Sequence, residues 1–203
     1  MDAGRAEDLV AVGAGVPLGE VAHGTTLWRV DRWDADQTHW AMRRTGGFQP
    51  EARDFAVLNV RPYSMTEHLG NAVLQAGWAR VLANLTSVPA STAVFDGTHT
   101  RIGVGDGSTA VNAASNTDLS GASKWFQLVS GAPTIGGTIP KTCAWSATFG
   151  TSDGNFAWNE FGIDNGTASG NTVSAPLLNR AVVSQGVKVA GQTWSATATL
   201  SFT

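Results

Sequence analysis

The clearest pattern in the chain lies near its C-terminal end, where Trp194, Ala196, Ala198, Leu200 and Phe202 alternate with Ser195, Thr197, Thr199 and Ser201. A period of two places an apolar row on one face of a strand and hydroxyls on the other, so residues 193–202 are predicted to be β. Residues 25–32 alternate similarly, with Leu27, Arg29 and Asp31 on one side and Trp28, Val30 and Arg32 on the other. Asp34-Ala35-Asp36-Gln37 then reads as a turn. Residues 38–44 are predicted to return as a second strand and residues 55–61 as a third, ended by Pro62. Together these give a small antiparallel sheet with one wet side.

From residue 64 to 85 the period changes. Leu69, Val73, Ala76, Val81 and Leu85 recur at roughly helical spacing, with Thr66 placed as a cap, which predicts a helix. Gly70 and Gly77 fall inside it, each less favourable than alanine by about 1 kcal/mol. Glycine fits there where a helix lies close against a sheet, and a break into two shorter helices at Gly77 is the competing expectation. Beyond Pro89, candidate strands at 92–95, 100–104, 125–129, 142–149, 155–163, 179–189 and 193–202 alternate with turn residues, the pattern of an antiparallel β-sandwich or jelly roll. The expected organisation is an extended arm over residues 1–24, a small sheet plus one helix over 25–88, and a β-sandwich domain over 89–203. The arm is glycine-rich and thinly apolar, too weak to form a core strand alone.

Composition sharpens this mainly β picture. Only 14% of the 203 residues are charged, against 24 glycines and 8 tryptophans. So little charge is unusual for a free domain and suits surfaces covered by partners, although a β protein with glycine-rich turns accounts for the same numbers. A net charge of −3 gives no electrostatic case for wrapping nucleic acid. No apolar run approaches a membrane span, and the first residues lack the basic-then-apolar order of a signal peptide, so the chain is expected to remain inside a cell until released. The glycosylation-like triplets at Asn84 and Asn165 therefore carry no weight. Cys143 has no partner for an internal disulfide and reads as a buried, inert thiol on a strand.

Candidate chemistry is sparse. His23, His39, His68 and His99 are scattered and form no metal-ligand spacing. Gly103-Val104-Gly105-Asp106-Gly107-Ser108 lacks the ending of a phosphate loop and reads as a tight turn out of a strand. Asp106, Asp118, Asp153 and Asp164 lie in or beside turns, where a calcium site is conceivable but bonding to local backbone is the commoner use. Glu160, beside Trp158 and Phe161, could serve as a glycosidase carboxylate. It has no assignable partner acid and is expected instead to bond backbone or Arg180. No nucleophile elbow occurs, so neither catalytic residues nor a cofactor are expected.

Several motifs in a fixed order carry a resemblance. These are Glu67-x-x-Gly70-Asn71-x-x-Leu74-x-x-Gly77, Ile102 to Ala110, Thr117-Asp118-Leu119, Ala147-Thr148-Phe149-Gly150, Asn155 to Ile163, Leu178-Asn179-Arg180 and Thr193-Trp194. Over residues 64–203 they resemble a family of tailed-bacteriophage structural proteins, described as head decoration, minor tail or fibre components. The resemblance implies a virion protein, in the host cytoplasm before assembly and on the capsid surface afterwards. Its implied partners are the major capsid protein and copies of itself, with a trimer as the expected grouping, and with no nucleic acid and no membrane. Gly70, Asn71, Gly103, Gly105, Asp106, Trp158, Glu160 and Arg180 are then fold determinants, with Trp158 in the core and Glu160 tied to Arg180. The alternatives are a tail or fibre protein or, in a different class, a carbohydrate-binding module, which would need Trp28, Trp33, Trp40 and Trp125 exposed in a groove.

Overall fold

A computed structural model describes residues 24–70, 72–86, 94–138 and 141–202. The expected arm, save its last residue, lies outside the described residues, as do Asn71 and residues 92 and 93 of the candidate strand at 92–95. The elements are β1 (Gly24–Trp33), α1 (Ala35–Arg44), α2 (Ala52–Val57), β2 (Ser64–Leu69), β3 (Ala72–Val73), α3 (Gln75–Thr86), β4 (Thr100–Gly105), β5 (Lys124–Leu128), β6 (Thr134–Gly136), β7 (Lys141–Phe149), β8 (Glu160–Asn165), β9 (Asn179–Val182) and β10 (Thr193–Phe202). They form two five-stranded antiparallel sheets, ordered β2-β1-β10-β7-β6 and β3-β9-β8-β4-β5. The chain is mainly β, as its alternation predicts, and the two sheets enclose one core as a sandwich.

The inward rows explain why the sheets face each other. Trp28 and Val30 of β1, Trp145, Ala147 and Phe149 of β7, and Trp194, Ala196, Ala198 and Leu200 of β10 come from the first sheet. They meet Ile102, Val104, Phe161, Ile163 and Ala181 of the second. Trp158, fully buried just before β8, closes one end. Its ring lies edge-on to Phe149 at 4.6 Å and to Trp194 at 4.9 Å, and its Nε1–H donates to the Gly154 carbonyl at 2.8 Å. Such edge-to-face contacts add to the area term that makes buried indoles dominate a core of this size.

The small separate sheet expected over residues 25–61 does not form. β1 pairs along its whole length with β10, from Gly24 opposite Phe202 to Trp33 opposite Thr193. Residues 38–44 belong to α1 and most of 55–61 to α2 and the loop after it. Asp34 is an N-cap rather than a turn residue: its Oδ1 accepts from the Gln37 N–H at 2.8 Å, and the Asp34 N–H donates to Gln37 Oε1 at 3.1 Å. The two helices pack against the C-terminal end of β1, where Trp33 stacks on Phe55 with ring centroids 4.3 Å apart, beside buried Ala41.

The single helix expected over 64–85 is also replaced. Residues 64–69 form edge strand β2, residues 72–73 form β3, and the helix starts only at Gln75. Gly70, with φ of 138°, ends β2 in a conformation few side chains adopt. Gly77 sits in the first turn of α3, where an added Cβ would lie 2.3 Å from the Leu178 Cα. The expected strands at 155–163 and 179–189 are shorter, beginning at Glu160 and ending at Val182.

Candidate functional site

The densest polar chemistry in the described residues lies on the outer face of the second sheet, away from the main core. Inward Ile102, Val104, Phe161, Ile163 and Ala181 leave Arg101, Gly103, Gly105, Glu160, Gly162, Asp164 and Arg180 on the opposite side. Register places Gly105 opposite Glu160, Gly103 opposite Gly162 and Arg101 opposite Asp164 on β4 and β8, with Gly162 opposite Arg180 on β9. Two ion pairs therefore flank a pair of glycines on one face.

One pair is Glu160 with Arg180, both fully buried, with Nη2 2.6 Å from Oε2. Glu160 Oε2 also accepts from the Ser120 N–H at 3.0 Å, and Oε1 accepts from the Gly121 N–H at 2.7 Å. Arg180 donates onward to the Thr109 carbonyl at 2.9 Å, Ser120 Oγ at 2.7 Å and Asn116 Oδ1 at 3.0 Å. The long loop between β4 and β5 is thus fastened to the sheet by a carboxylate at one turn and a guanidinium along its length. The second pair, Arg101 with Asp164, does the same for the loop after β8. Arg101 donates to the carbonyls of Ala168 at 2.8 Å and Thr172 at 3.0 Å, while Asp164 accepts from the Ser174 N–H at 2.9 Å.

Such pairs survive burial only when their remaining hydrogen-bonding capacity is met, because desolvation takes several kcal/mol per ion. Here the loop backbones meet it. The motif glycines make the room. A Cβ at Gly105 would stand 2.7 Å from Glu160 Oε1, one at Gly103 would stand 2.5 Å from the Phe126 ring, and one at Gly162 would stand 2.9 Å from a Leu177 methyl. Phe126, Leu177, Leu119 and Leu74 close over the glycines as a second apolar cluster, and the Arg101 guanidinium lies 4.9 Å from the Phe126 ring centroid.

Asp106 holds the turn leaving β4: its N–H donates to the Ser123 carbonyl, and its Oδ1 accepts from the Ser123 N–H, both at 3.0 Å. Asp118 accepts from the Leu119 N–H and from Lys124 Nζ, and Asp153 from the Gly150 N–H. The turn aspartates spend their oxygens on protein donors, and no cluster of three or more His, Cys, Asp or Glu that could hold a metal occurs among the described residues. His39 and His68 lie on α1 and β2, His99 bonds Asp96, and His23 is outside the described residues.

Sequence reasoning missed Arg101 with Asp164 and also missed Lys188. Lys188 is fully buried, with Nζ donating to the Gly150 carbonyl at 2.6 Å and Asn155 Oδ1 at 2.8 Å. Burial pulls its ammonium down to about 8, against the smaller opposing effect of Asp153. For Lys188 the available signal was a charged residue whose neighbours along the chain, Val187 and Val189, are apolar.

Fold and site together define an antiparallel β-sandwich whose buried charges fasten loops. Comparisons with protein-family models, with curated proteins and with solved structures find no match to this chain.

Proposed function

We propose that this chain is a non-enzymatic structural protein of a tailed-phage virion, a decoration protein that binds the outer lattice of the major capsid protein and stabilises the head. The observation that carries the reading is the distribution of charge and apolar surface. Charge is scarce in the sequence, and Arg32, Arg101, Glu160, Asp164, Arg180 and Lys188 are all buried. On α3, Trp78, Leu82 and Leu85 follow one another at i, i+4 and i+7 and are 43%, 45% and 76% exposed. Met65 and Leu69 stand out from edge strand β2. Aromatic and aliphatic surface with little charge is the composition of an interface core. The motifs behind the phage resemblance contribute one of the two loop-fastening pairs, Glu160 with Arg180, which suits a rigid shell component.

The same geometry weakens the other readings. Trp28 and Trp33 are buried, Trp125 is half-buried with its Nε1–H bonded to Gln127, and Trp40 lies under the Arg44 guanidinium. None of these offers the open ring a carbohydrate-binding module requires. Glu160 is sealed from solvent with its oxygens occupied, which does not suit a catalytic acid.

Gel densitometry of purified virions, followed by imaging of intact particles, tests the proposal. A band comparable in abundance to the major capsid protein and a regular array over the shell are expected, and particles stripped of the chain should lose heat resistance. A few copies at the tail would reassign it to adsorption or tail structure. Absence from the particle would remove the proposal.

A further inference from the structure

Arg32 is the second-last residue of β1 and shares the inward parity of Trp28 and Val30, yet it emerges where the sandwich opens between β2 and the loop after β9. It is 4% exposed, and its guanidinium lies 4.7 Å from the Trp194 ring centroid. Its hydrogen-bond partners among the described residues are all neutral: Thr66 Oγ1 at 3.0 Å, the Gln185 carbonyl and Oε1 at 2.8 Å each, and Ser64 Oγ at 3.4 Å. Its Nε–H donates to no described residue. Asp31 pairs with Arg29 at 3.0 Å on the outer face of the sheet, and Glu67, which lines the rim of the same groove, faces Arg29 at 4.0 Å and makes no bond to Arg32. Among the described residues this buried cation therefore has no carboxylate partner, unlike Arg101 and Arg180. Burial pulls its pKa down from the ordinary arginine value. The groove it lines has a volume of about 460 Å³ and is walled by β2 on one side.

We propose that this groove is a binding site for a carboxylate, supplied by an acidic side chain on an extended segment of a neighbouring protein chain. A desolvated guanidinium gains most from an anion, and its planar fork matches a carboxylate. The wall explains why the carboxylate comes from a polypeptide. Among the described residues β2 is hydrogen-bonded only to β1 and its other edge carries no strand, so a strand added there would point alternate side chains into the groove. Tyr63 and Met65, each 52% exposed, give that strand an apolar rim. Trp194 is 2% exposed and offers no open face on which a sugar ring could stack. The site is independent of the particle assignment, because the chain alone should bind the anion in solution.

The test titrates the unaltered full chain with glutarate, with its neutral isostere glutaramide, and with glucuronate, following the Arg32 Nε–H and Trp194 Nε1–H resonances by NMR. Saturable shifts with glutarate and none with glutaramide are expected. Arg32→Met should abolish the response, and Arg32→Lys should weaken it by about tenfold, the order expected for losing a forked charged hydrogen bond. The unaltered chain decides the matter even if Arg32→Met fails to fold. No saturable shift with glutarate, or an equal response to glutaramide, would overturn the site. Tighter binding of glucuronate than of glutarate would overturn the polypeptide source in favour of an acidic sugar.

Discussion

Replacing Glu160 with glutamine changes one atom and keeps the side-chain shape, so it isolates the charge. In the native arrangement Oε1 faces the Gly121 N–H, while Oε2 faces the Ser120 N–H and the Arg180 guanidinium. Whichever way the amide turns, its NH₂ meets a donor, and Arg180 is left fully buried without a counter-charge. Breaking a buried pair from one side typically removes about 3–5 kcal/mol. For a chain of this size each kcal/mol shifts the midpoint by about 2–4 °C, so Glu160→Gln should melt about 10 °C lower. Urea titration gives the free energy and calorimetry the midpoint. Hydrogen exchange should show Ser120 and Gly121 losing protection before the main core does. Glu160→Gln combined with Arg180→Met should be destabilised by less than the sum of the single changes, because the second removes the stranded charge. A loss below about 1 kcal/mol for Glu160→Gln would refute the reasoning, since it would place the pair in the range of solvated ion pairs.

Gly77→Ala pits two effects against each other: helix propensity favours alanine by about 1 kcal/mol, but the new methyl meets the Leu178 backbone at 2.3 Å. The steric effect should win, lowering the urea midpoint by the equivalent of about 1–3 kcal/mol. Gly103→Ala should fall in the same range, about 1–3 kcal/mol, because its Cβ would press into the Phe126 ring. Lys188 predicts a pH dependence. Its folded pKa of about 8 lies below the ordinary 10.5, so between those values the unfolded chain holds a proton the native chain has released. Stability from this group therefore rises with pH from about 8 to 10.5, by about 3 kcal/mol in all, and urea titrations at several pH values should show that rise vanish in Lys188→Met. Cys143 is half-buried with its thiol pKa raised by burial, so thiol reagents at mildly alkaline pH should label it slowly when native and rapidly in denaturant.

What the sequence revealed follows from which forces act locally. Alternation in β10 and β1 was readable because one face of each strand packs on the core. The bonding of Glu160 to backbone and Arg180 was expected from the sequence, but Gly103 and Gly105 were misread as turn residues: both lie within β4, where the Phe126 ring and the Glu160 carboxylate leave no room for a Cβ. The helices were misread for a local reason: Asp34-x-x-Gln37 is a capping box, but the short apolar runs at 38–44 and 55–61 fit strand and helix templates equally. Residues 64–85 failed differently. Leu69, Val73 and Ala76 sit at helical spacing by coincidence across two strands and a helix start, each placed by tertiary pairing. Arg101 and Asp164 meet across 63 positions of chain, and nothing local encodes that register.

The pairing of β1 with β10 also sets an order of events during synthesis. β10 lies between β1 and β7 in its sheet, yet it leaves the ribosome after every other described strand. Until then β1 and β7 have no central strand to join them, and their apolar faces wait without a partner. The second sheet is complete once β9 has emerged, so it can form first and offer a template on which the other closes. Joining positions 24 and 202 requires a loop of nearly the whole described chain, which makes closure slow compared with local contacts. A nascent chain stalled before residue 193 should therefore expose Trp28 and Trp145 to chaperones and to aggregation, and the emergence of β10 becomes the step that commits it to its fold.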